Sequence, residues 1–223
     1  MQFRTVIMTG SWRCGSTALN LSLIQHPGIF GWIEETNFLK VVRAPDGWKE
    51  GQWIIQKNPQ YARVIAKVVQ ECPPNRVILL ARNPYAICRS MLDPLFARTR
   101  SGSTIENASA HIMTHYQSLL AQEAETPKLF YRAHYEDFVK NPRERLTELL
   151  ENVFGLPFDE KCLSWEKKPI RLGLGDPKAA DTSGWHEDAA ETWRAGLSRE
   201  QKEYIRTACL PIFEALEYDP NDL

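Results

Sequence analysis

Apolar positions along the chain alternate between short dense runs and longer amphipathic ones. "FRTVIMTG" is a β-rich run that ends on glycine, and "STALNLSLIQH" behind it predicts a helix with Leu19, Leu23 and Ile24 on one side. "PGIFGWIEETNFLKVV" predicts a short strand or turn leading into a helix, and "GQWIIQKNP" predicts a strand stopped by Pro59. In "YARVIAKVVQE", Ile65, Val68 and Val69 stand at helical spacing. "NRVILLARNP" carries the strongest strand signal, an unbroken apolar run expected of a central strand buried on both faces. "YAICRSML" restarts as a helix with Pro84 in its first turn. Residues 97–109 are polar and predict a loop, followed by a helix over 108–124 and a strand beginning in "KLFYRAHYED". "NPRERLTELLENVFG" predicts an amphipathic helix with the stripe Leu146, Leu149, Leu150, Val153 and Phe154, stopped at Gly155. Residues 156–187, with Pro157, Pro169, Pro177 and interspersed glycines, predict a long irregular segment. The chain ends in a helix over "LSREQKEYIRTACLPIFEALEY", with a bend expected at Pro211.

Strands that alternate with helices predict an α/β fold: three layers, α/β/α, around a central parallel sheet. At 223 residues, and with no repeat or linker, a single domain over 1–223 is expected. A formal net charge of −1, from 27 basic and 28 acidic residues, gives no global field for nucleic acid or an anionic membrane. The five cysteines (Cys14, Cys72, Cys88, Cys162, Cys209) contain no C-x-x-C pair and suggest neither a zinc site nor a disulfide framework. Neither a signal peptide nor a bilayer-spanning run is present, and a cytoplasmic location is expected.

One short stretch, "MTGSWRCGSTAL", changes the picture. Gly10, Gly15 and Thr17 match the spacing of the phosphate-binding pattern G-x-x-x-x-G-K-[ST], but Ser16 stands where the lysine belongs, and the nearby cation is Arg13. A strand, a glycine-containing loop and a helix N-terminus present backbone N–H groups and a helix dipole to an anion. The alternative is an ordinary tight turn. The run "VILLA" leads into Arg82 and not into an aspartate, so no magnesium ligand pair is visible.

On these residues the sequence resembles the sulfotransferases that use 3′-phosphoadenosine 5′-phosphosulfate. "WRCGSTAL" stands in register with the family's P-R-S-G-T-T-L loop, with Cys14 and Ala18 as departures. "RNPYAICRS" matches its R-x-P-x-x-x-x-x-S segment through Arg82, Pro84 and Ser90. "YEDFVKNPRERLTELLENVFGLPF" and "WRAGLSREQKEYIRTACLPIFEALEY" resemble its later segments, so the likeness spans nearly the whole chain. It implies a P-loop NTPase-like sulfotransferase fold and transfer of a sulfuryl group to a small-molecule or peptide hydroxyl acceptor, without a metal.

The resemblance implies roles residue by residue. Arg13, Cys14, Gly15, Ser16, Thr17 and Ala18 hold the 5′-phosphosulfate, and Arg13 neutralises the sulfuryl oxygens. Arg82 and Ser90 bind the 3′-phosphate, and Tyr135 lies near adenine. Lys178, in "LGLGDPK", is a further 3′-phosphate candidate. Glu35 in "WIEETNF" is the expected base, with Glu34 as fallback, and Lys57 in "QKNP" is expected to stabilise the bridging oxygen. Each has a plainer reading: a solvated acidic turn, a strand-end lysine, a core tyrosine, a packing hydroxyl. Cys14 reads either as a thiol of lowered pKa at a helix N-terminus or as a small loop-filling side chain. His26 fits a turn, and His111, His115 and His134 are substrate-side candidates. Trp48, Trp53, Leu95 and Phe96 read as acceptor-pocket walls or as core. The rival to a sulfotransferase is a P-loop small-molecule kinase or NTPase lacking the standard lysine. A non-catalytic binding module is the third reading.

Overall fold

The computed structural model describes residues 3–35, 45–97, 104–168, 175–186 and 188–222. Its strands are β1 (Thr5–Gly10), β2 (Ile29–Gly31), β3 (Trp53–Lys57), β4 (Arg76–Ala81) and β5 (Phe130–His134). They form one sheet in the order β2-β3-β1-β4-β5, and every pairing is parallel. The helices are α1 (Ser16–Leu23), α2 (Ile65–Glu71), α3 (Pro84–Met91), α4 (Pro94–Ala97), α5 (Ile105–Glu125), α6 (Tyr135–Lys140), α7 (Pro142–Leu149), α8 (Pro177–Ala180), α9 (Asp188–Glu191), α10 (Trp193–Gly196) and α11 (Arg199–Ala215).

Side chains of a strand alternate between faces, and the core divides accordingly. Val6 and Met8 of β1 join Ile78 and Leu80 of β4 in a cluster with α1, α6 and α7. Ile7, Val77 and Leu79 point the other way, into a cluster with α2, α3, α5 and α11. The sheet is therefore the middle of three layers. The unbroken "VILLA" run is explained by this double burial. It is an interior strand, although the middle position belongs to β1. Helix α1 is buried along its whole length, so the one-sided stripe expected of it understates its burial.

Register brings the site together. Met8 stands opposite Lys57, Gly10 opposite Leu80, and Ala81 opposite His134. The loops that leave these strands therefore share one edge of the sheet, where the chain turns from the β3 side of β1 to the β4 side. Open parallel sheets bind ligands at such a switch point.

Local chemistry adjusts the expected boundaries. α5 begins at Ile105, earlier than the predicted 108, because the Thr104 hydroxyl accepts a hydrogen bond from the Asn107 amide. α2 is preceded by a 3-10 turn over Pro59–Val64, which Asn58 caps through the Gln60 amide. α7 continues as a π-helical turn, Leu150–Phe154, closed by Gly155. The expected irregular segment contains a 3-10 turn (Glu160–Leu163), α8, and an antiparallel bridge from Ser164 to Gly184. α11 runs through Pro211 and starts at a capping box formed by Ser198 and Gln201. The helix expected after "WIEET" and residues 98–103 of the predicted 97–109 loop lie outside the described residues.

His115 of α5 packs beneath the end of β1. It is fully buried, and its Nδ1 faces the Gly10 carbonyl at 3.5 Å. Burial pulls its pKa down to about 4. Between about pH 4 and 6.5 the unfolded chain therefore binds a proton that the folded chain refuses, and stability falls as pH drops through that window. The loss is on the order of 3 kcal/mol at full effect. Urea melts of His115→Gln are expected to lose much less stability than the parent between pH 6.5 and 4. Parallel pH profiles would show that His115 is not the group responsible.

Candidate active site

The turn between β1 and α1 is built on backbone conformations that few residues adopt. Arg13 holds φ 64° and Gly15 holds φ 94°. For Arg13 the left-handed region costs about 1–3 kcal/mol. The Arg82 guanidinium supports it by donating from Nη1 to the Arg13 carbonyl at 2.8 Å. Gly15 admits no side chain: a Cβ there would lie 2.1 Å from the Tyr135 ring. Tyr135 is in turn capped by Arg82, whose Cζ stands 4.4 Å from the ring centroid. The ends of β1, β4 and β5 thus meet at one tyrosine.

With the turn so held, α1 starts at Ser16, and its first amides (Ser16, Thr17, Ala18) belong to the turn whose N–H groups lack intrahelical acceptors. The Arg13 side chain reaches Ser90 of α3, donating from Nε to Oγ at 2.9 Å, and meets Asp176 Oδ2 at 2.9 Å. Its guanidinium also lies over the Phe96 ring at 5.3 Å. Asn83 and Pro84 start α3 at the end of β4, with Asn83 Oδ1 accepting from the Tyr85 amide. The Asn83 amide donates to Glu136 Oε1 at 2.9 Å, so the residue after Tyr135 anchors the residue after Arg82.

Lys57, at the end of β3, is 1% exposed. Its Nζ donates to Thr17 Oγ1 at 3.5 Å and to the Ile33 carbonyl at 3.3 Å. Asn20 of α1 donates to the Trp32 carbonyl at 2.8 Å. These bonds hold the 32–33 backbone against the β1–α1 loop and bring Glu34 and Glu35 beside it. Burial lowers the Lys57 pKa. The charge of Glu35 opposes this most, followed by Cys14, Asp176 and Glu34.

Of the residues singled out from sequence, Arg13, Gly15, Thr17, Lys57, Arg82, Ser90 and Tyr135 lie in one network of contacts, and Glu35 and Glu34 act on it through charge. Lys178 reaches elsewhere: its Nζ pairs with Asp93 Oδ2 at 2.7 Å. Of the two readings of Cys14, the packed thiol holds, since burial pushes its pKa up to about 11 despite the Ser16 hydrogen bonds and the Arg82 charge. Trp53 lies at the far end of β3 and packs on Phe154, so it is core and not a wall of this site. Trp48 packs on Phe3, and its indole bonds to the Gln52 carbonyl. The Leu95 side chain lies outside the described positions. His26 closes its turn through the Gly28 amide, whereas His111 stacks on Trp12 of the loop and His115 packs tilted against His111 and edge-on to Trp12.

Asp176 and Asn20 were missed in the sequence. Asp176 precedes a proline, a helix-start signal, and Asn20 is a polar residue inside a helix buried on all sides. Among the described residues no cluster of three or more His, Cys, Asp and Glu side chains is placed to hold a metal ion, and no helix is long and apolar enough to cross a membrane.

A parallel α/β sheet with a cationic, glycine-pinched loop at its switch point defines the architectural class, an open α/β fold whose first strand runs through a tight loop into a buried helix. The family model described as "Sulfotransferase family" matches residues 38–160, more than half of the chain. The chain belongs to the sulfotransferase family. The matched region contains Lys57, Arg82, Ser90 and Tyr135 and begins after the β1–α1 loop. A carbohydrate sulfotransferase 1 from Danio rerio is 32% identical over 87 residues, which cover 38% of this chain and 20% of that protein, about a fifth of the relative's length. Among solved structures, the sulfotransferase domain of the Synechococcus PCC 7002 olefin synthase is similar with a TM-score of 0.77 and 20% identity, covering 98% of this chain and 96% of that one. The sulfotransferase domain from the curacin biosynthetic pathway has a TM-score of 0.73 and 18% identity, covering 98% and 99%. A mouse sulfotransferase complexed with PAP has a TM-score of 0.65 and 12% identity, covering 96% and 86%. At these identities the structures establish the shared fold.

Gly15→Ala tests the pinched turn. The strained φ and the collision with Tyr135 are expected to cost about 1–3 kcal/mol or more in urea denaturation. Adding Tyr135→Ala is expected to return only the part due to collision. Parental stability in Gly15→Ala would contradict the geometry.

Proposed function

We propose that the chain moves a sulfuryl group from 3′-phosphoadenosine 5′-phosphosulfate to a hydroxyl acceptor by in-line transfer, with Glu35 as base and Arg13 and Lys57 as the cations of the reacting centre. The observation that carries this reading is the position of Lys57. One buried amine joins the anion loop, through Thr17, to the segment that carries Glu35. A carboxylate, that of Asp176, already rests on Arg13 at salt-bridge distance, so the guanidinium is disposed to take an anionic oxygen.

The donor, when bound, supplies an activated sulfuryl group on a phosphate leaving group. Arg13 and the first amides of α1 at Ser16, Thr17 and Ala18 are the groups to hold its 5′ end, with Cys14 and Gly15 shaping the loop around them. Arg82 and Ser90 are assigned to the 3′-phosphate and Tyr135 to the adenine side. Lys178 reaches that phosphate only by leaving Asp93. Glu35 takes the proton of the acceptor hydroxyl, since an alcohol attacks poorly while it keeps that proton. The Lys57 ammonium supplies the positive charge a departing oxygen needs, and within a covered site such charge acts more strongly than in water. No metal enters this scheme. The acceptor is a small-molecule or peptide hydroxyl, and the zebrafish relative's name adds carbohydrate hydroxyls to those to be screened.

Glu35→Gln keeps shape and removes the base. It also removes the carboxylate that does most to keep Lys57 protonated. With a labelled donor and an acceptor panel, kcat is expected to fall by about 10²–10⁴-fold, with affinity for adenosine 3′,5′-bisphosphate nearly unchanged. Glu34→Gln is expected to be much milder, because its charge acts least on Lys57 among the groups that support it. Full turnover in Glu35→Gln, under conditions where chemistry limits the rate, would move the base elsewhere.

A further inference from the structure

We infer that Asp176 is an internal competitor for the anion loop, a carboxylate that must leave Arg13 before a ligand oxygen can take its place and that sets the affinity threshold for entry. The identity of the entering ligand rests on the donor reading above; the competition itself does not.

The two carboxylate oxygens of Asp176 have different partners. Oδ2 meets Arg13 Nη2 at 2.9 Å, while Oδ1 accepts from the Lys178 amide at 3.0 Å, where α8 begins. The Asp176 amide donates to Thr17 Oγ1 at 3.1 Å, and the same oxygen accepts from Lys57 at 3.5 Å. One residue therefore engages the arginine and the hydroxyl assigned to the donor's 5′ end. Arg13 is 12% exposed and Asp176 27%, so the pair is largely covered and little screened. The other contacts of the Arg13 side chain are Ser90 and the Phe96 face.

The chain that follows Asp176 is also held by contacts other than this ion pair. The Trp165 indole donates to the Ala179 carbonyl at 3.2 Å. Trp185 stacks on Phe138 at 5.8 Å and meets Trp165 edge-on at 5.7 Å. These contacts hold Ala179 and Trp185, downstream of Asp176, so that stretch stays anchored when the charge alone is removed. When a site is open for only part of the time, every ligand's apparent dissociation constant rises by the inverse of that fraction. An internal carboxylate thus holds weakly anchored inorganic anions out, while a ligand anchored a second time at Arg82 still enters.

Titration calorimetry of inorganic phosphate and of adenosine 3′,5′-bisphosphate against the parent, Asp176→Asn and Asp176→Ser tests this. Asn and Ser keep an acceptor for the Lys178 amide and discard the charge, so both variants retain the start of α8. Both ligands are expected to bind roughly 5- to 20-fold tighter to both variants. Unchanged or weaker binding of both ligands in both variants, at parental melting temperature, overturns the inference, even if the bisphosphate binds the parent tightly and the donor reading stands. Phosphate that tightens in the variants, with no preference for the bisphosphate in any form, supports the inference and removes the donor reading. Failure of both ligands to bind all three proteins overturns both.

Discussion

The left-handed turn at Arg13 is the constraint on which the site depends. An L-residue at φ 64° points its side chain and its carbonyl in directions that a relaxed loop would not offer. The carbonyl goes to Arg82, and the side chain goes to Ser90 and Asp176. Gly15 then completes the reversal into α1 with its Cα against the Tyr135 ring. The conformational cost at Arg13 is of the same order as one hydrogen bond to a charged group, about 1.5–3 kcal/mol, which Arg82 supplies. Strain is thus balanced locally, by a residue from the neighbouring strand end that is itself a candidate ligand for a phosphate.

Charge around the loop is balanced in the same way. Lys57 is buried, and burial alone disfavours its ammonium; the nearby Glu35, Asp176 and Glu34 carboxylates act in the opposite direction. The 32–33 backbone that leads to these glutamates is pinned by Asn20 and by Lys57 itself, so both carboxylates are held near the buried ammonium. Asp176 extends this balance to Arg13, and its carboxylate and backbone amide connect the two cations through Thr17.

The order of strands and helices was legible because the apolar runs are either fully double-faced, as in "VILLA", or cleanly periodic, as in the Leu146–Phe154 stripe. The loop was legible because its glycines sit where a strand ends and a helix begins. Boundaries set by a single side chain were not, as with Thr104 starting α5 ahead of its apolar stripe. Asp176 was hidden for a different reason. Its partner Arg13 lies at the other end of the chain, and nothing local marks an aspartate before a proline as the partner of a distant arginine. Lys178, its neighbour, drew attention as a cation near a phosphate signature, whereas its amine turns to Asp93. Trp48 and Trp53 show the converse case: large aromatics read equally as pocket or core, and only the direction of β3, for Trp53, and the contact with Phe3, for Trp48, show where each packs.

Sulfotransferase membership and the fold follow from the family match and the shared architecture. The central mechanistic claim is that the loop, Arg82 and Ser90 together read a nucleotide carrying two separate anionic groups, without a metal. Ligand-dependent melting in the presence of a chelator tests it most directly. Adenosine 3′,5′-bisphosphate at about 100 times its dissociation constant adds roughly 2.7 kcal/mol to stability, a rise of about 5–10 °C in Tm for a chain of this size. That rise is expected for the bisphosphate, with little change for ATP and magnesium. A chain stabilised by ATP and magnesium and indifferent to the bisphosphate would contradict it.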